Sequence, residues 1–175
     1  MDSFFTGGEE MHLPFAAIAS RLVLAATLGG LIGFEREWRQ RPAGLRTHML
    51  VCLASALFAV LTVEIVHMDS FSGEGMRYDP VRLIEAVTAG VAFLAAGVII
   101  FARGQLQGLT TGAGMWLAAA VGLASGLGYW QIATLSCALA LIVLGLLQQV
   151  EARFGFGRSN KTAIEKRGEQ SSDEG

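Results

Sequence analysis

Six charged residues occupy positions 35 to 46 of an otherwise apolar chain: Glu35, Arg36, Glu37, Arg39, Arg41 and Arg46, within FEREWRQRPAGLRTH. Two short motifs, AGLRT ending at Thr47 and GLTT ending at Thr111, put a threonine at or near the start of an apolar run. A threonine there can cap free backbone amides. Free amides and the helix dipole together favour an anion. The chemistry this pattern could do is binding of an anion or phosphate group on one membrane face. The simpler account is two ordinary caps facing lipid headgroups, with the arginines anchoring the topology, and it is preferred.

A second set of residues could handle cations. Arg21, Glu64 and Glu85 lie inside apolar runs, each in the same outer half of the bilayer, so Arg21 could pair with Glu64 or Glu85. Charge inside a span is costly and usually paired. Asp79-Pro80 reads as a helix cap with proline at the first position. Asp79, Arg82 and Glu85 recur every three residues on one face. A structural ion-pair network is the plainer reading; the functional one is an outward-facing cation or proton site with hard oxygen ligands. No metal ligands are assigned and no cofactor is expected, Mg2+ being the one ion kept open. No nucleophile–base pair appears, so an enzyme is not expected. Cys52 and Cys137 sit in apolar runs and read as buried free thiols. His48 reads as an interfacial residue, and His12 and His67 as boundary residues without partner spacing.

The elements that must position these groups follow from composition. The chain has 175 residues, 53% hydrophobic and 16% charged, against about 25% charged in soluble domains. Its mean hydropathy is +0.50. Lipid is therefore the expected solvent. A net charge of −2 gives no reason to expect nucleic acid as a partner. No Lys or Arg precedes the first apolar segment, so it does not read as a cleavable signal peptide.

Five apolar segments, Leu13–Phe34, Thr47–Val66, Leu83–Ala102, Leu109–Leu127 and Trp130–Val150, each approach the ~20 residues that cross a bilayer. Backbone amides in lipid must bond internally, so the segments are helices. Ten Lys and Arg fall in the connections and tail on one side and two on the other. The cationic side faces the cytoplasm. The expected fold class is an all-α polytopic membrane protein with five transmembrane helices, N-terminus outside and C-terminus cytoplasmic. Residues 1–12 form a short extracytoplasmic N-terminus, 13–151 the transmembrane domain and 152–175 a disordered cytoplasmic tail. In the first connection, Glu35 and Arg39 are spaced for a helical ion pair, Pro42 stops the helix, and Gly44 allows a tight return.

Small residues recur at close-packing spacing: Gly29 and Gly33, then Ala86, Gly90 and Gly97, then Ala118, Gly122 and Gly126. Such faces suit one bundle or a homo-oligomer. An internal match at an offset of 64 pairs Gly33 with Gly97, Gly44-Leu45 with Gly108-Leu109 and Thr47 with Thr111. It would be a parallel repeat of the kind seen in some transporters.

Three stretches, GGLIGFEREWRQRPAGLRTHMLVCLASALF, DPVRLIEAVTAGVAFLAAGVI and GLTTGAGMWLAAAVGLASG, together resemble the MgtC/SapB family of bacterial inner-membrane proteins. The resemblance covers about Leu22 to Glu151. Glu35 and Arg36 match the family's E-R pair. Ala43, Gly44, Leu45, Arg46 and Thr47 match A-G-L-R-T. Asp79, Pro80 and Arg82 match D-P-x-R. Gly97 matches a helix-3 glycine, and Gly108, Leu109, Thr110 and Thr111 match G-L-T-T. The resemblance implies a five-helix bundle with its tail inside, association with growth in low magnesium and with survival inside macrophages, and no enzymatic activity. Members are regarded as regulators acting through membrane partners, the rotary ATP synthase for the best-known one. Ala86 stands where many members have Gln, and Ala95 replaces a glycine. The short polar tail in place of a cytoplasmic ACT-like domain resembles the SapB-like branch, which leaves the virulence role and the ATP-synthase partnership unassigned to this chain. The expected function is magnesium-linked ion homeostasis in the inner membrane through membrane partners; the alternative is a transporter or channel for Mg2+ or another small ion.

Overall fold

A computed structural model describes residues 11–68, 79–102 and 105–154. Among the described residues five helices follow in order: α1 (Phe15–Trp38), α2 (Leu45–His67), α3 (Pro80–Val98), α4 (Leu109–Gly126) and α5 (Trp130–Phe154). Between α3 and α4 lies a two-stranded antiparallel hairpin, β1 (Ile100–Ala102) and β2 (Gln105–Gln107), with Phe101 opposite Leu106. The first four helices are long and apolar enough to cross a membrane, and α5 is apolar from Trp130 to Leu146. Large apolar side chains point outward along these helices, Phe93 being 80% exposed. A surface of that kind needs lipid against it. The chain is a membrane protein.

The chain divides into two units, one ending at Ala138 and one beginning at Leu139. Within the first, α4 is the most enclosed helix, packed against α1, α2 and α3. Its small residues permit this. A methyl group at Gly122 would run into the Cys52 carbonyl, and one at Gly126 into the Ala56 carbonyl. On α1, a methyl at Gly29 would lie 2.6 Å from the Cys52 Cβ, and one at Gly33 2.7 Å from the Leu45 Cα. The expected glycine contacts of α1 and α4 are therefore real backbone approaches. Those of α3 are not: Gly90 and Gly97 have no atom within 4 Å of where a Cβ would stand.

The helix ends explain the loops. α1 runs to Trp38, and its stop does not wait for Pro42. Arg41 N–H bonds to Arg36 O (3.1 Å) and Gln40 N–H to Glu37 O (2.9 Å), with Gln40 at φ 52°. That pair of bonds is a Schellman motif, built here on Gln rather than the usual glycine. α4 ends the same way on Gly128, at φ 90°, with Tyr129 N–H bonding to Ala124 O. α3 begins as expected: Asp79 accepts the Val81 N–H at 3.0 Å, with Pro80 at the first helical position.

The third span is shorter than expected. The helix stops at Val98, and the residues from Ile100 to Ala102 pair as a strand. Ile99, Ile100 and Phe101 are β-branched or aromatic, residue types that favour a strand over a last helical turn. The fifth helix is longer than expected and continues to Phe154, so the first residues of the expected tail are helical. The expected N-terminal segment up to residue 10 and the tail from 155 lie outside the described residues.

Candidate functional site

Buried positions on α1 fall at Ala25, Leu28, Gly29, Ile32, Gly33 and Arg36. The spacing is that of one helix face. Arg36 thus continues an apolar stripe with a guanidinium, and it is 1% exposed. The corresponding face of α2 is His48, Val51, Cys52, Ser55, Ala56, Ala59 and Val60, and it begins with a histidine that is 0% exposed. The polar ends of both stripes meet the start of α4, where Thr111 is also buried.

There, Arg36 Nη2 donates to Thr111 Oγ1 at 3.1 Å, joining motifs 75 residues apart. Arg36 Nε and Nη1 are shielded from solvent and have no hydrogen-bond partner. His48 Nδ1 donates to Gly44 O at 2.9 Å, since a carbonyl can only accept. That bond fixes the tautomer, and His48 Nε2 is left enclosed and without a partner. A methyl at Gly114 would lie 3.2 Å from Nε2, so the ring edge faces the backbone of α4.

The carboxylates nearby form no hydrogen bond to Arg36, although the enclosed Glu35 carboxylate acts on it through its charge. Glu35 forms the expected ion pair with Arg39. Glu37 Oε2 accepts the Leu45 N–H at 2.7 Å, capping α2 from the neighbouring helix. Neither threonine caps its helix as expected. Gly44 and Gly108 hold the cap positions without side-chain bonds, and Thr111 turns its hydroxyl to Arg36 instead. Gly108 sits at φ +89°, where a Cβ would press on the Val98 carbonyl, so only glycine serves.

Other expected residues fall differently. Ala43 is buried at 3%, whereas Arg46 and Thr110 are exposed and Thr47 is half-buried. Leu45 and Leu109 open their helices in equivalent positions after Gly44 and Gly108. The repeat breaks at Gly33 and Gly97, since only the first lies against a neighbour. Arg21, Glu64 and Glu85 do not pair. Arg21 Nη1 donates to Gly126 O at 3.0 Å, at the carbonyl end of α4. Glu64 accepts the amides of His12 (2.8 Å) and Leu13 (2.9 Å), just ahead of α1. Each charge has found a helix end of opposite polarity, whose free backbone groups lie closer than a distant side chain. Asp79, Arg82 and Glu85 are exposed, with no ion pair joining them among the described residues.

Three histidine readings change. His48 is enclosed rather than interfacial, and His12 and His67 stack with ring centroids 3.7 Å apart. Cys52 and Cys137 are free and buried, as expected. The buried stripes signal the burial of Arg36 and His48 in the sequence, since both residues stand in register with the glycines and alanines of their helices.

The sequence signature of the MgtC family matches residues 22–153, nearly all of the helical region just described. The chain belongs to the MgtC family. It is 38% identical to YhiD of Escherichia coli strain K12, a protein provisionally named a magnesium transporter, over 76% of this chain and 61% of that protein. It is 36% identical to MgtC of Salmonella typhimurium strain 14028s over 93% of this chain and 63% of that protein. SrpB of Synechococcus elongatus shares 33% identity over 85% of this chain and 81% of its own length. The chain spans about three fifths of the length of YhiD and of the Salmonella MgtC. No solved structure matches it. Both the E-R pair and the G-L-T-T motif of this MgtC-family protein contribute to the buried contact between Arg36 and Thr111.

Proposed function

We propose that this MgtC-family protein resides in the bacterial inner membrane, N-terminus outside and tail in the cytoplasm, and supports magnesium-linked ion homeostasis through membrane partners. It acts neither as an enzyme nor as the ion conductor. The Lys and Arg asymmetry of the connections supports the orientation. The observation that carries the rest is the fully buried Arg36. A fixed cation enclosed where α1, α2 and α4 meet repels a free divalent cation at that point. Family resemblance supports lipid and other inner-membrane proteins as partners, with Mg2+ as the ion sensed in growth rather than a cofactor held by the chain.

The second reading is transport of Mg2+ or another small ion. The provisional name of YhiD favours it, as do the matching helix starts after Gly44 and Gly108. Liposomes holding only the purified chain and a Mg2+-sensitive dye separate the two. Under an inward gradient, uptake equal to protein-free liposomes is expected. Saturable, protein-dependent uptake would overturn the proposal in favour of transport.

A further inference from the structure

Arg36 presents enclosed donors without acceptors. The one ion pair among the described residues joins Glu35 to Arg39, and Glu37 is committed to the start of α2. No carboxylate hydrogen-bonds to the Arg36 guanidinium, which is 1% exposed with Nε and Nη1 unpartnered; the Glu35 carboxylate, its oxygens also enclosed, acts on it through charge alone. Enclosed charged donors without acceptors are strongly unfavourable. The free Nε and Nη1 of this guanidinium therefore call for an acceptor, and an anionic one satisfies them best.

The surrounding groups specify its chemistry. Arg36 is held by Thr111 in the first turn of α4. The amides of Leu109, Thr110 and Thr111 precede the first intrahelical bond, which Gly112 N–H makes to Gly108 O. Their free N–H groups and the positive end of α4 favour negative charge. The Thr111 hydroxyl accepts from Arg36 and keeps its proton to donate. His48 Nε2 adds an enclosed polar atom without a partner; as the neutral tautomer it accepts, which suits the hydroxyl of hydrogen phosphate or a hydroxyl of a glycerol headgroup. A site with many donors and one acceptor fits a tetrahedral oxyanion better than a halide, which accepts only.

We propose that Arg36, Thr111, His48 and the first turn of α4 bind a phosphoryl group, either free inorganic phosphate or the phosphodiester of a lipid headgroup. This holds whether or not the protein moves magnesium. Because the donors are shielded from solvent, the occupant exchanges slowly and survives gentle purification.

The test uses the full chain purified in a phosphorus-free detergent and exchange buffer. Phosphorus released on denaturation is measured and native mass spectrometry identifies its source. About one phosphorus per chain is expected, one for the single Arg36–Thr111 site. A bound phospholipid assigns the headgroup; a small bound ion assigns free phosphate. The free-phosphate arm is checked by adding inorganic phosphate to stripped protein at constant ionic strength, which should raise the thermal midpoint saturably where chloride does not. Lipid nanodiscs of phosphatidylglycerol against a phosphorus-free galactolipid check the other arm. Arg36→Met should abolish retention, and Thr111→Val should weaken it about tenfold, one charge-assisted contact. Should Arg36→Met fail to fold, Thr111→Val and the wild-type protein still decide. Phosphorus-free wild-type protein with no phosphate- or lipid-dependent shift overturns the proposal, as does retention unchanged in Thr111→Val.

Discussion

Gly122→Ala is the substitution whose cost the structure sets most directly. The added Cβ would stand 2.9 Å from both the Cys52 carbonyl carbon and the Ser55 Cβ, and closer still to the Cys52 oxygen. Carbon atoms rest at about 3.5–4.0 Å, so α4 must retreat from α2 by several tenths of an ångström or more. Two of the three obstructing atoms are backbone, which cannot rotate away. Overpacking of this type costs ~1–3 kcal/mol, and loss of the shared glycine contacts at Gly126 argues for the upper part of that range. Against it stands the helix preference for alanine over glycine, ~1 kcal/mol. A net loss of about 1–2 kcal/mol remains. Gly90→Ala provides the control, since nothing lies within 4 Å of its Cβ position and only the propensity gain applies. The two variants should therefore separate by roughly 2–3 kcal/mol in opposite directions. Equilibrium unfolding in mixed micelles, titrated with a denaturing detergent and followed by circular dichroism, reads the difference. Equal stabilities, or a larger loss at Gly90, would refute the placement of α4 against α2.

Other perturbations probe the ends of the bundle. Arg21→Met removes the donor to Gly126 O and should cost ~1–2 kcal/mol in the same titration; an unchanged midpoint would detach Arg21 from α4. Glu64→Ala frees the amides of His12 and Leu13, so hydrogen exchange at those two positions should accelerate while the interior of α2 stays protected. Arg46→Ala alters an exposed side chain and should change stability by less than about 0.5 kcal/mol. Maleimide should label neither Cys52 nor Cys137 in the folded protein and both after unfolding, because the thiols are 0% and 2% exposed.

Much of the fold was legible because lipid simplifies the reading. A run of about 20 apolar residues has one stable backbone solution, so five helices could be read from composition, and Asp79-Pro80 marked the start of α3 by local chemistry alone. The third span failed at its end because hydropathy does not distinguish an apolar helix from an apolar strand, and IIF is apolar in either. Charge partners failed for a different reason. Placing Arg21, Glu64 and Glu85 at similar depths says nothing about competing backbone groups, and the free ends of α4 and α1 took Arg21 and Glu64. The threonine motifs failed as caps, since Gly44 and Gly108 hold the cap positions. Thr111 matters because Arg36 reaches it, not because it caps α4. The period of the buried face did carry that information: 25, 28, 29, 32, 33 and 36 are one stripe, and a charge at its end is a buried charge.

Whether that enclosed cation carries the function is measured most directly by growth in low magnesium. A strain lacking the chromosomal copy is supplied with the wild-type chain, Arg36→Gln or Arg46→Gln, with the amount of each in the membrane matched. Loss of growth with Arg36→Gln and full growth with Arg46→Gln is the result expected from a buried site at the meeting of α1, α2 and α4. Wild-type growth with Arg36→Gln would contradict it.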